Sequence, residues 1–235
     1  MKTMYRLVVM MVAVVALLMT SVAVRASEMD DRILVSEPAR PYPLHLVISP
    51  YPAEDESHLV TEEGARLLIR PVRPEDAPIF QRFFKILSPE TIYYRLFSHV
   101  KGLSPQMLAR FTQIDYDREI ALVALEDHPE AERMLGVARI TGNPDGKQGE
   151  FAVVVGDPWH GKGIGSSLLE KCLAIAERRG FQRVHGIVLR GNQSMLVLGK
   201  KLGFQVKPHP DSQELELVIP LASLKGGLSR ASQQT

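Results

Sequence analysis

The sequence predicts a mixed α/β domain with an appendage at each end. Three observations carry this. At 235 residues the chain can bury one good core, but not two once its ends are set aside. Short β-rich runs alternate with helix-patterned stretches through its middle. In 150–180, EFAVVVGDPWHGKGIGSSLLEKCLAIAERRG, a β-branched run breaks at Gly156-Asp157-Pro158, and a glycine-spaced turn opens directly into a strongly patterned helix.

Composition removes several function classes. With 28 Lys and Arg against 27 Asp and Glu the formal net charge is +1, and like charges form no block, so nothing points to nucleic acid. The single cysteine, Cys172, rules out an internal disulfide and a thiolate metal cluster, and its place on an apolar helix face makes it a core residue. No His, Cys or carboxylate spacing suggests a metal.

In chain order, Lys2 and Arg6 precede an uncharged run, 7–24, and small residues flank Arg25 before Ser27. Residues 1–26 therefore read as a hydrophobic leader, an export signal or a signal anchor, and as the only segment with a reason to touch a membrane. A mis-assigned start would leave the same pattern. Residues 27–63 contain Pro38, Pro41, Pro43, Pro50 and Pro52 without helical periodicity, which predicts an extended linker. The folded domain is expected over 64–222. Its first strand is expected at 67–72, after which Arg73-Pro74-Glu75-Asp76 opens a helix to about Leu87, with proline and acids where a first turn wants them. Ser88-Pro89 and Ser104-Pro105 place capping hydroxyls before prolines and predict short helices over 89–97 and 105–111. Strands are expected at 119–125 and 134–141, joined by a polar hairpin loop at 126–133. After the central strand and helix come a strand at 184–189, a helix at about 192–202, and strands at 204–207 and 214–219. The end, 223–235, has little to bury and reads as a disordered tail.

On the central helix Ile164, Leu168, Cys172, Ile175 and Ala176 share one face, with Glu170, Lys171, Glu177 and Arg178 opposite and Gly180 as the stop. The turn before it, HGKGIG, alternates Gly161, Gly163 and Gly165. Such a turn brings backbone close to a ligand, and the free N–H groups at the helix start favour a phosphate or pyrophosphate. A dinucleotide site would want an acid closing the next strand, but that strand ends in Arg190 and Gly191. A P-loop would need Gly-Lys followed by Ser or Thr, and Lys162 is followed by Gly163.

The turn resembles the acyl-CoA-binding motif of the GNAT superfamily of N-acetyltransferases. That motif is Gln or Arg, two residues, Gly, one residue, then Gly or Ala, after a strand ending in a bulge. His160, Gly163 and Gly165 stand at those positions, and His160 departs from the pattern. Val188-Leu189-Arg190-Gly191-Asn192, followed by Met195, Leu198 and Leu202-Gly203-Phe204, is similar to a second GNAT signature, in which an Asn opens a helix over the pantetheine arm. The phrases Gln81-Arg82-Phe83-Phe84, Leu87-Ser88-Pro89-Glu90-Thr91 and Gly149-Glu150-Phe151-Ala152 resemble most the GNAT domain that ends bacterial Pat-type protein lysine acetyltransferases. Those proteins carry a domain similar to acyl-CoA synthetases ahead of it, where this sequence is expected to carry the leader.

The resemblance implies a GNAT fold, a mixed, mostly antiparallel sheet whose splayed central strands bind acyl-CoA. It implies acetyl-CoA as co-substrate, held by the backbone of Val153, Val154 and Val155, by the turn His160, Gly161, Lys162, Gly163, Ile164 and Gly165, and by Asn192, which also suits a helix cap. The acceptor is then an amine, first of all a protein lysine. Presenting a lysine amine neutral at pH 7 costs about 4.6 kcal/mol, so a proton acceptor is needed. Glu150, at the start of the central strand and on one face with Ala152 and Val154, is the expected general base, with Asp115, Asp117 and Glu119 in reserve. Many GNAT enzymes place a tyrosine acid seven residues after the Asn; that position is Gly199. His185 reads as structural. A small-amine acetyltransferase and a non-catalytic acyl-CoA-binding module are the rival readings. Charges around the leader favour sending the domain across a membrane, whereas the acetyl-CoA supply places it in the cytoplasm, where the catalytic domain is expected.

Overall fold

The computed structural model describes residues 49–61, 64–126 and 132–221. The leader at 1–26, the tail at 223–235 and most of the expected linker lie outside the described residues, as does most of the expected hairpin loop. No described helix is long and apolar enough to cross a membrane.

Eight strands form one sheet: β1 (Ser57–Val60), β2 (Arg66–Pro71), β3 (Glu119–Glu126), β4 (Arg133–Gly142), β5 (Gln148–Val155), β6 (Arg183–Leu189), β7 (Gln205–Pro208) and β8 (Glu214–Pro220). Their order is β1-β2-β3-β4-β5-β6-β8-β7, antiparallel throughout except where β5 meets β6. The expected first strand is thus the second. Ser57–Val60, inside the stretch read as linker, pairs antiparallel with β2, Ser57 opposite Ile69 and Val60 opposite Arg66. Four residues among prolines give no periodicity to read; their hydrogen bonds come from a partner strand.

The helices α1 (Ala77–Lys85), α2 (Pro89–Leu96) and α3 (Pro105–Thr112) cover one face of the sheet, and α4 (Ile164–Arg178) covers the other. The last helix, α5 (Gln193–Lys201), packs Met195, Leu196 and Leu198 into the same core as α4. The capping hydroxyls act as expected: Ser88 Oγ accepts from Thr91 N at 3.1 Å and Ser104 Oγ from Met107 N at 3.2 Å. A 3₁₀ turn, Pro74–Asp76, leads into α1. Its acid is more than a first-turn charge, because Asp76 takes a bidentate pair from Arg70 at 2.7 and 2.8 Å and also accepts from Arg73 N at 2.8 Å.

On α4 the expected apolar face is buried, and Leu169 and Leu173 widen it. Cys172 is fully buried there, and desolvation pushes its thiol pKa up to about 12, which suits a core residue and not a nucleophile. Gly180, at φ +84°, follows the helix end.

Candidate active site

β5 and β6 run parallel for a short distance only. Gln148 pairs with Arg183, Gly149 with Val184 and Glu150 with His185; the ladder then stops, although both strands continue, β5 along β4 and β6 along β8. Beyond Glu150 the two strands present backbone N–H and C=O groups along facing edges that no longer bond each other. Gly186, the first residue past the last rung, permits the close approach there. A Cβ there would stand 2.7 Å from the Phe151 ring and 3.0 Å from Phe151 O. The bulge expected at the end of β5 lies instead across β4, where the register against β3 shifts at Leu135 while β5 stays in register with β4 from 149 to 155.

At the far end of β5 the chain turns through Asp157–Trp159 into the glycine turn. Gly161 and Gly163 both have φ +78°, and a Cβ on either would meet nothing within 4 Å, so the backbone is curled and open on its outer side. Gly165 is different. A Cβ there would lie 3.3 Å from Val155, and its absence lets the first turn of α4 sit against the end of β5. The first bond into the helix is Ser167 N to Gly163 O at 3.0 Å, which leaves the N–H groups of Ile164, Gly165 and Ser166 without intrahelical acceptors. The Ile164 side chain is buried in the core, so this residue offers its backbone alone. Lys162 is half-buried between the open glycines.

His160, which departs from the Gln or Arg of the motif, is exposed but folds its ring back on the strand end, and Nε2 donates to Val155 O at 2.8 Å. It braces the strand end on which the turn is built. Asn192 caps α5, its Oδ1 accepting from Met195 N at 3.1 Å; the Nδ2 group is left to donate. Gly199 is buried, and a Cβ there would stand 2.7 Å from Leu217, so that position is packed on β8 and offers no acid.

Glu150 is exposed at the point where the strands part. By alternation it shares a face with Ala152 and Val154, which floor a pocket under α1, α2 and α3. The pocket, open to solvent on one side, lies between phenylalanines 80, 83, 84 and 111 and the side chains of Arg95 and Arg139. α2 spans the opening, with Arg95 over the β5 side and the Tyr94 hydroxyl 3.2 Å from where a Gly191 Cβ would be, just past β6.

The reserve carboxylates have other tasks. Glu119 is buried and pairs with Arg110 at 2.5 Å and Arg139 at 2.7 Å. Asp115 accepts from Asp117 N at 3.0 Å, and Asp117 accepts from Ser49, so both shape the turn before β3. Sequence reasoning passed over Asp157, which accepts from Ser88 N at 2.9 Å, Ser88 Oγ at 2.6 Å and Thr91 Oγ1 at 2.9 Å, tying the start of α2 to the turn. It also passed over Arg95. Only the polar Ser-Pro-x-Thr pattern before α2 hinted at the first; nothing local marks the second.

A model of the acetyltransferase (GNAT) domain matches residues 66–205. The chain belongs to the GNAT family of N-acetyltransferases. It is 32% identical over 165 residues to an acetyltransferase of Pseudomonas aeruginosa, a match spanning 69% of this chain and 89% of that relative. It is 29% identical over 141 residues to the acetyltransferase Pat of Mycolicibacterium smegmatis, covering 60% of this chain and 41% of Pat. Among solved structures, the GNAT domain of S. lividans PAT superposes with a TM-score of 0.67 at 27% identity, covering 73% of this chain and 99% of that domain. The family's acetyl donor is acetyl-CoA, and the residues here fit it: open, positive-φ glycines at a helix start for the pyrophosphate, and parted strand edges for the amide-bearing arm.

Proposed function

We propose that this GNAT enzyme acetylates a protein lysine side chain, with Glu150 as general base. One observation carries the reading. The sole carboxylate on β5 stands exposed where β5 and β6 part, on the face that holds the pocket and opposite the helix that starts at the cradle. The likeness to the GNAT domains of Pat-type proteins supports lysine as the acceptor.

Acetyl-CoA brings an activated thioester; in the transfer the carbon–sulfur bond breaks, a carbon–nitrogen bond forms, the amine loses a proton and the thiolate gains one. The chain's residues divide the rest of the work. Backbone N–H groups of Gly161, Lys162, Gly163, Ile164 and Gly165 hold the pyrophosphate. The β5 edge from Val153 to Val155 donates to the arm and to the oxygen on which charge develops, and Asn192 Nδ2 adds a donor. Glu150 takes the amine proton, directly or through water. With Gly199 where a tyrosine acid would stand, water returns the proton to a thiolate whose parent thiol has a pKa of only about 8.5. We place the catalytic domain in the cytoplasm, where its donor is supplied.

The test is transfer itself. Purified full chain, acetyl-CoA and lysine peptides should yield peptides heavier by one acetyl group at the lysine amine. Binding of acetyl-CoA without transfer to any amine, Glu150 being intact, would make the protein a binding module instead.

A further inference from the structure

The residues that line the pocket are apolar except for Arg95 and Arg139, and only one of these two has partners among the described residues. Arg139 donates to Glu119 at 2.7 Å and to the carbonyls of Arg110 and Phe111. Arg95, half-buried in the opposite wall, has no hydrogen bond or ion pair among the described residues. Its surroundings are unfavourable for a charge: desolvation brings its pKa down from 12.5 to about 10, the neighbouring Arg139 adds to the fall, and Glu150 opposes it. At neutral pH the group is still cationic. A charged side chain with donors not taken up by the protein therefore stands in the wall of a pocket lined otherwise by aromatic and aliphatic residues, where an anionic group could pair with it.

We propose that Arg95 is the anion anchor of the acceptor site: the acceptor that presents its amine to Glu150 also carries a carboxylate that pairs with Arg95 and an apolar group that fills the phenylalanine-lined pocket. The planar guanidinium fork matches a carboxylate in bidentate geometry. A phosphate dianion fits less well, because Glu150 lies close enough to Arg95 to stabilise its charge and would repel a second negative charge. The inference rests on the reading of the Glu150 face as the acceptor side. It narrows a lysine acceptor to one flanked by an apolar and an acidic residue; a free apolar amino acid carries the same three groups.

The experiment uses the full chain, acetyl-CoA and peptides in which lysine has a fixed neighbouring phenylalanine and one Glu moved through the flanking positions, each with its Gln counterpart. Phenylalanine and phenylalaninamide represent the free amino acid. At the best position Glu should raise kcat/KM by roughly tenfold or more over Gln, mainly through KM, as expected of one charge-assisted pair. Arg95→Gln should bring the Glu-to-Gln ratio in kcat/KM to about one, whatever it does to the common rate through Glu150, and Arg95→Lys, which keeps the charge, should restore part of the ratio. Equal rates within every pair would overturn the anchor while leaving lysine acetylation standing. Transfer to phenylalanine in preference to its amide, with no peptide acetylated, would support the anchor and reject the lysine reading. An equal loss on all acceptors in both variants would reduce Arg95 to a packing role.

Discussion

Glu150 and His185 form the last rung of the parallel ladder, and beyond them β5 and β6 separate. Ladder partners point to the same face, so the carboxylate and the imidazole both lie on the side that carries the pocket. Glu216 Oε1 lies 3.8 Å from His185 Nδ1, beyond hydrogen-bond reach. Glu150→Gln keeps size and hydrogen-bonding shape while removing the proton acceptor. Acetyl transfer should fall by roughly 10²–10⁴-fold with little change in acetyl-CoA affinity, because the cradle is built from backbone elsewhere. The residual rate should climb by about tenfold per pH unit below the pKa of the amine, as the neutral amine alone reacts. Rates on a lysine peptide from about pH 6 to 9 check this. A variant with the parent's rate and profile would pass the role to His185 or to water, since Glu119, Asp115 and Asp117 are engaged elsewhere.

Asp157 couples the acceptor lobe to the cofactor turn. Desolvation raises its pKa, but the side-chain and backbone hydrogen bonds of Ser88 and the hydroxyl of Thr91 outweigh this and hold it below the ordinary carboxylate value. A carboxyl depressed in the folded state contributes stability above its unfolded pKa of about 3.9, and that contribution is lost as pH falls through the lower folded pKa. The parent should therefore lose more stability than Asp157→Asn between about pH 5 and pH 2, measured by urea unfolding. At pH 7 the same substitution should cost about 1 kcal/mol, as the site is partly solvated, and should raise KM for the acceptor as α2 loosens. Equal pH dependence in the two proteins would show that Asp157 does not hold α2.

Much of the scaffold was legible because its signals are local. Ser88 and Ser104 cap the helices their Ser-Pro pairs announce, and the three- and four-residue spacing from Ile164 to Ala176 marks the buried face of α4. The cradle glycines were legible for the same reason, since positive φ is a property of single positions. What stayed hidden depends on partners far along the chain. β1 exists through β2, the reach of Asp157 to Ser88 and Thr91 crosses more than sixty residues, and Arg95 comes into the electrostatic range of Glu150 only once α2 folds over the sheet. The parting of β5 and β6 is hidden too, because 151–155 and 186–189 have the same apolar alternation whether or not they pair. The family resemblance, not the residue pattern, implied it.

The entry into α1 depends on one buried ion pair. Arg70 and Asp76 are 3% and 2% exposed, and Asp76 accepts from both terminal nitrogens of the guanidinium and from the Arg73 amide. Asp76→Ala leaves the guanidinium buried without its bidentate partner, which should cost about 3–5 kcal/mol in urea unfolding. Arg70→Met with Asp76→Leu should recover most of that loss, because removing both charges avoids the uncompensated one. A single variant within 1 kcal/mol of the parent, roughly the value of a surface pair, would mean that water reaches Arg70.

The cradle makes the sharpest demand on charge. Gly163 stands at φ +78° with open space beside it, immediately before the N–H groups of Ile164, Gly165 and Ser166. Any side chain there is strained, but Asn and Asp tolerate the left-handed region best and are nearly the same size, so comparing them isolates charge from shape. Acetyl-CoA at about 100 times its Kd should stabilise the parent by about 2.7 kcal/mol, a rise in Tm of roughly 5–10 °C for a domain of this size. Gly163→Asn should keep part of that shift. Gly163→Asp sets a carboxylate where the pyrophosphate belongs, and like charges a few ångströms apart at a partly shielded site repel by about 1–4 kcal/mol, enough to remove the shift. Raising the salt should return some binding to the Asp variant, by screening, and none to the Asn variant. Equal shifts in the two variants would show that no anion rests on this turn, and a parent whose Tm does not move with acetyl-CoA would remove the cradle altogether.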